Sequence, residues 1–349
     1  MTEGQTHPQP RILPSISSIK SVIPGLSLCV GTALVCVGTT TGITGLSPLL
    51  LAIIIGVIAR NTLRISQSLQ PGISFSAKSL LRWGVVLLGL QLSIPDVLAL
   101  GPGVLVIVIA AVTITFVAAL LLGKALKVEW NLTVLIASGF SICGAAAIAG
   151  MQGIVRARDE IVAAAIALVV LFGTLMIPIN TVVVSMLHLE DGTAGTFIGG
   201  SVHEVAQVVA AAGIAGGAPL LAIAVPIKLA RVLLMAPMVT IMSLVKRRTS
   251  SSQAGQKKPP LVPLFVLGFI AMILVATTGL IPPTALEWVK LFQQFFLTAA
   301  MFALGLGVHI RSLMRLGLRP ILLSFLATLI ICMVVAIGIS LGLGAQNRL

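Results

Sequence analysis

The residues able to do chemistry are few, and they stand where an apolar chain rarely tolerates them. Glu204 lies near the middle of a run of small and apolar residues, directly after His203 and one helical turn before Gln207. Lys228 and Arg231 sit three apart in a second apolar run, flanked by Pro226 and Pro237. An ionisable side chain at the centre of a bilayer costs about 2.5–3.5 kcal/mol on insertion scales, so such groups face a cavity or a partner. Two cations on one helical face, far from both ends, cannot snorkel to the interface, and their candidate partners are Glu204, a bound anion, or both. The run Ser201-Val202-His203-Glu204 also fits the S-x-x-E capping box, in which Glu204 satisfies the free amides of a helix that starts there. The two readings are compatible, because a helix that begins inside the membrane aims its amides and its positive end into the site.

A second cluster is Ser138, Ser141, Cys143 and Gly144, spaced around Gly139. If the helix is interrupted there, free N–H groups and serine hydroxyls form an anion cradle together with Ser201. Small residues that permit close helix packing explain the same spacing equally well. HEVAQ lacks the second histidine of H-E-x-x-H and no cysteine stands at metal-ligand spacing, so neither a metal nor a cofactor is expected. Asp159 and Glu160 open a helix at its positive end, which is explanation enough for them.

The elements that must position these residues follow from composition. Apolar residues make up 58% of the 349 positions and charged residues 9%, with a mean hydropathy of +1.15. A soluble fold has too little interior to hide that much apolar surface, so lipid is the solvent for most of it. The expected fold is an all-α polytopic membrane protein of about nine to eleven transmembrane segments, with inverted repeats and two interrupted or re-entrant helices. The formal charge of +13 does not indicate nucleic acid. Its basic residues fall between apolar runs, at Arg60/Arg64, Lys78/Arg82, Lys124/Lys127, Lys246/Arg247/Arg248 and Arg311/Arg315/Arg319, as the positive-inside rule produces. The four cysteines lie within apolar stretches and read as small buried hydrophobes.

Spanning needs about 20 apolar residues. Candidates are 22–40, 46–60, 80–96, 101–123, 160–187, 219–245, 261–280, 293–310 and 317–343, while 130–151 and 194–214 are rich in Gly, Ala and Ser and read as broken or re-entrant. Residues 1–21 are expected to be a disordered cytoplasmic tail, 22–349 a single transporter domain, and 246–260 a cytoplasmic linker within it. With the N-terminus inside, loops 60–82, 124–129, 246–260 and 311–319 fall on the cytoplasmic side. The Arg156/Arg158 loop joins them only if 130–151 enters and leaves on the same side. Internal symmetry supports inversion: Gly89-Leu90-Gln91-Leu92-Ser93-Ile94 resembles Gly305-Leu306-Gly307-Val308-His309-Ile310, 216 positions on. Gly139-x-Ser141 and Gly199-x-Ser201 match at an offset of 60.

On three ordered motifs the chain resembles the YeiH-like family of bacterial inner-membrane proteins, often labelled sulfate exporters. The motifs are Ser141-Ile142-Cys143-Gly144-Ala145-Ala146-Ala147-Ile148, Val202-His203-Glu204-Val205-Ala206-Gln207-Val208-Val209-Ala210-Ala211, and Lys228-x-x-Arg231-Val232-x-x-x-Ala236-Pro237. The resemblance covers the chain from about residue 20; it departs at Ala146, where the family carries Ser. It implies a multi-pass carrier of the bacterial inner membrane, distantly related to the cation:proton antiporter and bile-acid symporter superfamily.

The resulting expectation is a secondary carrier, not an enzyme, exporting a small inorganic or organic anion, with sulfate and organosulfur anions as candidates. Ser138, Ser141, Cys143, Gly144, Ser201, Lys228 and Arg231 are the expected substrate contacts. His203, Glu204 and Gln207 are the expected coupling and gating residues, with a proton as the coupled ion. A homo-oligomer is left open, and no G-x-x-x-x-G-K-[ST] run points to ATP. A cation:proton antiporter and, in another class, an intramembrane hydrolase pairing Ser141 or Cys143 with His203 are the alternatives.

Overall fold

The computed structural model describes residues 16–40, 48–249, 264–308 and 317–344. The chain is all-α, and among these residues there is no strand. Among the described residues six helices are long and apolar enough to cross a membrane. They present Leu34, Val106, Leu121, Val182 and Leu329 outward at 43–65% exposure, the large apolar exterior that hydrocarbon, not water, permits.

In chain order the elements are α1 (Ile16–Thr40), α2 (Pro48–Thr62), α3 (Gln70–Phe75) and α4 (Leu81–Leu88), the last two within the helical span Gln67–Gln91. Next come α5 (Ile94–Ala99), α6 (Gly101–Ala125), α7 (Trp130–Ser138), a π-turn (Gly139–Cys143), α8 (Ala145–Val155) and α9 (Asp159–Met186). Then follow α10 (Asp191–Ser201), α11 (Val205–Ala215), α12 (Ala218–Leu233), α13 (Met235–Thr249), α14 (Leu264–Thr277), α15 (Pro283–Gly305) and α16 (Leu318–Gly338). Two spans start earlier than hydropathy places them. Gln67, Gln70, Ser74, Ser76 and Lys78 dilute the first, and Glu287, Lys290, Gln293 and Gln294 the second, so the expected loop 60–82 shrinks to the few residues between α2 and Gln67. The chain is already helical from Ile16, and the linker is helical to Thr249. The rest of the expected tail and linker, with Arg311 and Arg315, lies outside the described residues.

The 216-residue repeat is present in three dimensions. Shifted by that offset, the start of the span at Gln67 falls on Pro283, where α15 begins, and Gly101 of α6 falls on Gly317, the N-cap of α16. The packing repeats as well. A Cβ on Gly89 would lie 2.5 Å from the Phe269 carbonyl oxygen, and one on Gly305 would lie 2.5 Å from that of Ile53; each member of the second pair is 216 positions from its counterpart in the first. α6 and α16 cross antiparallel, with Gly103 against Leu343 and Gly338 against Ile107. Both glycines of the repeated contact therefore allow a backbone approach that no side chain permits. Gly89→Ala and Gly305→Ala are each expected to lower the melting temperature in detergent. Gly153→Ala, in α8 with open space around it, should be neutral or stabilising by about 0.5–1 kcal/mol.

Contact register also fixes the path of the two Gly-rich segments. Residues 100–104 and 219–226 line one cavity, so α6 and α12 start at the same end. Gly195 meets Ile223 and Gly199 meets Ala224 and Ile227, so α10 runs parallel to α12. α11 reaches α12 through the two-residue Gly216-Gly217 turn and packs back along it, so α10 and α11 are antiparallel. In the first segment, Lys228 reaches Ile142 while Gly150 lies against Met235 and Val239, so α8 runs parallel to the α12–α13 rod. α7 returns along α6, with Gly123 against Thr133, and so opposes α8. Both segments are re-entrant hairpins. The first enters from the face carrying Lys124, Lys127, Arg156 and Arg158, the second from the face carrying Glu190 and Asp191. Their tips meet in the interior.

Candidate functional site

The tips meet around the middle of the α12–α13 rod. At each tip a half-helix ends and another begins, which leaves carbonyls with a partial negative charge beside amides with a partial positive one. The two cations serve the carbonyl ends. Lys228 Nζ donates to Ile142 O at 2.8 Å and to Val202 O at 2.9 Å, one carbonyl from each tip and 60 positions apart. Arg231 donates to Gly199, Gly200 and Val202 O at 3.3, 2.8 and 2.8 Å, and to Phe140 and Ser141 O at 3.4 and 2.9 Å. Both side chains are fully buried. The partners offered on sequence grounds were Glu204 or a bound anion; the bonded partners present are these carbonyl oxygens.

Glu204 serves the opposite ends. Its Oε1 accepts from the Ala145 amide at 2.9 Å, the first residue of α8, while Glu204 itself is the N-cap of α11. With Gln207 it forms the reciprocal capping box, the Glu204 N–H donating to Gln207 Oε1 at 3.1 Å. The box is thus Glu204/Gln207 and not Ser201/Glu204, since Ser201 is the last residue of α10. One carboxylate caps two half-helices from opposite hairpins. Space for it comes from Gly144, where a Cβ would lie 2.3 Å from Glu204 Cγ and whose φ of +73° disfavours any L side chain. Gly144 stands where Glu204 stands in the 60-residue repeat, so the symmetry breaks at the pair that shares one space. Gly173 similarly makes room for Gln207, whose Nε2 donates to Val170 O at 3.4 Å.

The remaining expected residues are buried at the same tips. His203 presents Nδ1 to Phe140 O at 3.2 Å and Nε2 to Thr328 Oγ1 at 3.0 Å, with its ring tilted on Phe140. A carbonyl only accepts, so Nδ1 carries a proton. The hydroxyls of Ser138, Ser141 and Ser201 donate to carbonyls of their own helices, those of Leu135, Ala137 and Phe197 at 3.0, 2.6 and 2.7 Å. In this conformation they therefore bond back onto their own helices, and the nucleophile–base contact that a hydrolase needs is not formed between Ser141 and His203. Cys143 is a free, buried thiol in the first tip. Sequence reasoning missed Thr328 and Asn180, the latter with Oδ1 at 3.2 Å from Ser201 Oγ. Single polar residues inside long spans, they carry no spacing signal. Arg231 Nε is a buried donor with no partner. Among the described residues no cluster of His, Cys, Asp and Glu could hold a metal.

Comparison with known proteins gives a family for the whole arrangement. The family model described as "Conserved hypothetical protein 698" matches residues 24–324, which takes in both hairpins and the rod between them. A UPF0324 membrane protein of Corynebacterium glutamicum is 42% identical over 92% of each chain. One from Pseudomonas aeruginosa is 36% identical over 89% of this chain and 92% of that one, and one from Bacillus cereus 34% identical over 81% and 82%. No solved structure matches. With the membrane-spanning helices, the two opposed hairpins and these relatives together, the chain belongs to the UPF0324 family of membrane proteins, the YeiH-like family whose motifs its sequence carries.

Proposed function

We propose that this protein is a secondary carrier that moves a small anion outward across the bacterial inner membrane, with its N-terminus cytoplasmic and a proton as the coupled ion. The observation that carries the reading is the pair of opposed hairpins. Two tips that reach the interior from opposite faces offer an unwound, polar site to either side, the arrangement that alternating access requires. Lys228 and Arg231 supply positive charge there, and the Ser138, Ser141 and Ser201 hydroxyls, with Cys143 and Gly144, line the tips. In the present conformation those donors close the site on the protein's own carbonyls. Transport then exchanges carbonyl partners for the anion, while Glu204, with His203 and Gln207 beside it, moves between a proton and the amide ends. On the acidic face a cavity of about 780 Å3 is lined by Asp96, Pro219 and Pro226, the last two on the helix that carries Lys228.

A cation:proton antiporter is the second reading, favoured by the carbonyl cluster that holds the Lys228 ammonium. The two separate in proteoliposomes loaded with labelled sulfate. Efflux that follows an imposed pH gradient, falls severalfold in Glu204→Gln and is lost in a folded Lys228→Ala protein supports the anion carrier. Cation flux that is indifferent to the anion supports the antiporter. Ordered tips with no flux of either kind would remove the carrier reading.

A further inference from the structure

We infer that the basic face carries a binding site for the phosphate headgroup of an anionic lipid, built around Arg60 between the end of α2 and the start of the helical span Gln67–Gln91. Such a site stands or falls apart from what the protein transports. Gln91 borders the cavity on the acidic face, so the helix that begins at Gln67 begins at the opposite, basic face. There Arg60, Ile65, Gln67, Gln70, Pro71 and Ser74 line a second, open cavity. Spacings of three and four put Gln67, Gln70 and Ser74 on one side of their helix, so two carboxamides and a hydroxyl share the cavity with the guanidinium. Both walls are fixed. Asn61, next to Arg60, donates Nδ2 to Val308 O at 3.0 Å, and a Cβ on Gly72 would lie 2.2 Å from Val22 O.

Three observations specify the ligand. Arg60 is only partly exposed, and its Nε lies out of solvent with no acceptor. An arginine at a helix end ordinarily carries its head into water, and native structures seldom leave a buried donor unpaired. The chain supplies no counterion nearby in sequence. No Asp or Glu stands between Glu3 and Asp96, a stretch that holds Arg60, Arg64, Lys78 and Arg82, and Asp96 lines the cavity at the other face. The anion that suits this donor set is a phosphodiester, whose oxygens a guanidinium fork binds in pairs. Apolar surface then continues from the cavity into the membrane: Phe75 and Trp83, four and twelve positions beyond Pro71 and so on its side of the helix, are exposed. A lipid uses both the polar lining and that apolar stripe, whereas a soluble phosphate uses only the first. Basic pockets at the cytoplasmic ends of membrane helices take anionic headgroups for these reasons.

The test uses purified full-length protein in a neutral detergent. Phosphatidylglycerol added to the micelles is expected to raise the melting temperature saturably by several degrees, and phosphatidylcholine with the same acyl chains is not. Arg60→Gln should need about tenfold more phosphatidylglycerol for half the effect, the loss of one charge-assisted contact. Arg64→Gln, four positions on, exposed and outside the cavity, should stay within about twofold of wild type. Gln70→Leu, at an exposed position, should shift the half-point severalfold in the direction of Arg60→Gln and keeps the test open if that variant does not fold. Sodium phosphate without lipid should act no differently from sodium chloride at equal ionic strength. No saturable response in wild type, an equal response to phosphatidylcholine, or equal losses in Arg60→Gln and Arg64→Gln overturns the inference. A response to inorganic phosphate as large as that to the lipid overturns the lipid as the source of the anion.

Discussion

Arg231→Met is expected to destabilise the protein by several kcal/mol, since each buried carbonyl left without a donor costs about 1–3 kcal/mol. The substitution keeps much of the side-chain volume and removes every donor. Carbonyls of Gly200, Val202 and Ser141, each bonded at 2.8–2.9 Å, would lose that donor in a region closed to water, and those of Gly199 and Phe140 would lose weaker ones. Both hairpin tips should loosen together, because the guanidinium is bonded to both. Lys228→Met should cost less, since Lys228 serves two carbonyls and one of them, Val202, keeps Arg231. Cys143, buried in the first tip, reports on this without an introduced probe. In a background lacking Cys29, Cys36 and Cys332, its labelling rate by a maleimide should rise in the order wild type, Lys228→Met, Arg231→Met, with melting temperatures falling in that order. The reverse order would mean that the carbonyl contacts do not hold the tips.

Gly144→Ala is the second large effect. Its φ of +73° with ψ of −131° is a conformation essentially reserved for glycine and costs an L residue about 1–3 kcal/mol, and its Cβ would occupy the space of Glu204 Cγ and Oε1. The carboxylate must then leave the Ala145 amide, which adds about 1–3 kcal/mol for a buried donor left unpaired. The two contributions separate in a double-mutant cycle. With Glu204 already replaced by Ala, the Gly144→Ala change should retain only its backbone strain. A coupling of about 1–3 kcal/mol between the two positions is therefore expected from denaturant or thermal unfolding. Additive effects would show that Gly144 is glycine for its dihedral angles alone.

Most of this architecture was legible beforehand, for reasons that differ from element to element. The apolar spans were readable because lipid selects composition over about twenty residues at a time. The hairpins were readable as breaks because Gly144 and Gly199-Gly200 interrupt otherwise apolar runs. That the Arg156/Arg158 loop is on the face of Lys124 and Lys127 was carried by charge alone, and the contact register of α8 agrees. Boundaries failed where hydropathy and helicity diverge: Gln67 to Lys78 and Pro283 to Gln294 are helical yet polar. In the tips, residue types identified Glu204, Lys228 and Arg231 but not their partners. Those partners are backbone atoms, and a sequence does not display which carbonyl or amide a fold leaves open. The capping box was shifted by three residues for the same reason, as S-x-x-E and E-x-x-Q overlap in Ser201-Val202-His203-Glu204-Val205-Ala206-Gln207.

Everything at the tips depends on the two hairpins entering from opposite faces, and sidedness of single cysteines measures that directly. In a cysteine-free background, Glu129→Cys and Arg158→Cys bracket the first hairpin, and Glu190→Cys and Ala218→Cys bracket the second, at four exposed positions. A membrane-impermeant maleimide applied to oriented vesicles should label Glu129→Cys and Arg158→Cys from one side only, and Glu190→Cys and Ala218→Cys only from the other. Labelling of Glu129→Cys and Arg158→Cys from opposite sides would make the first segment a spanning helix and separate Glu204 from the amide it is placed on.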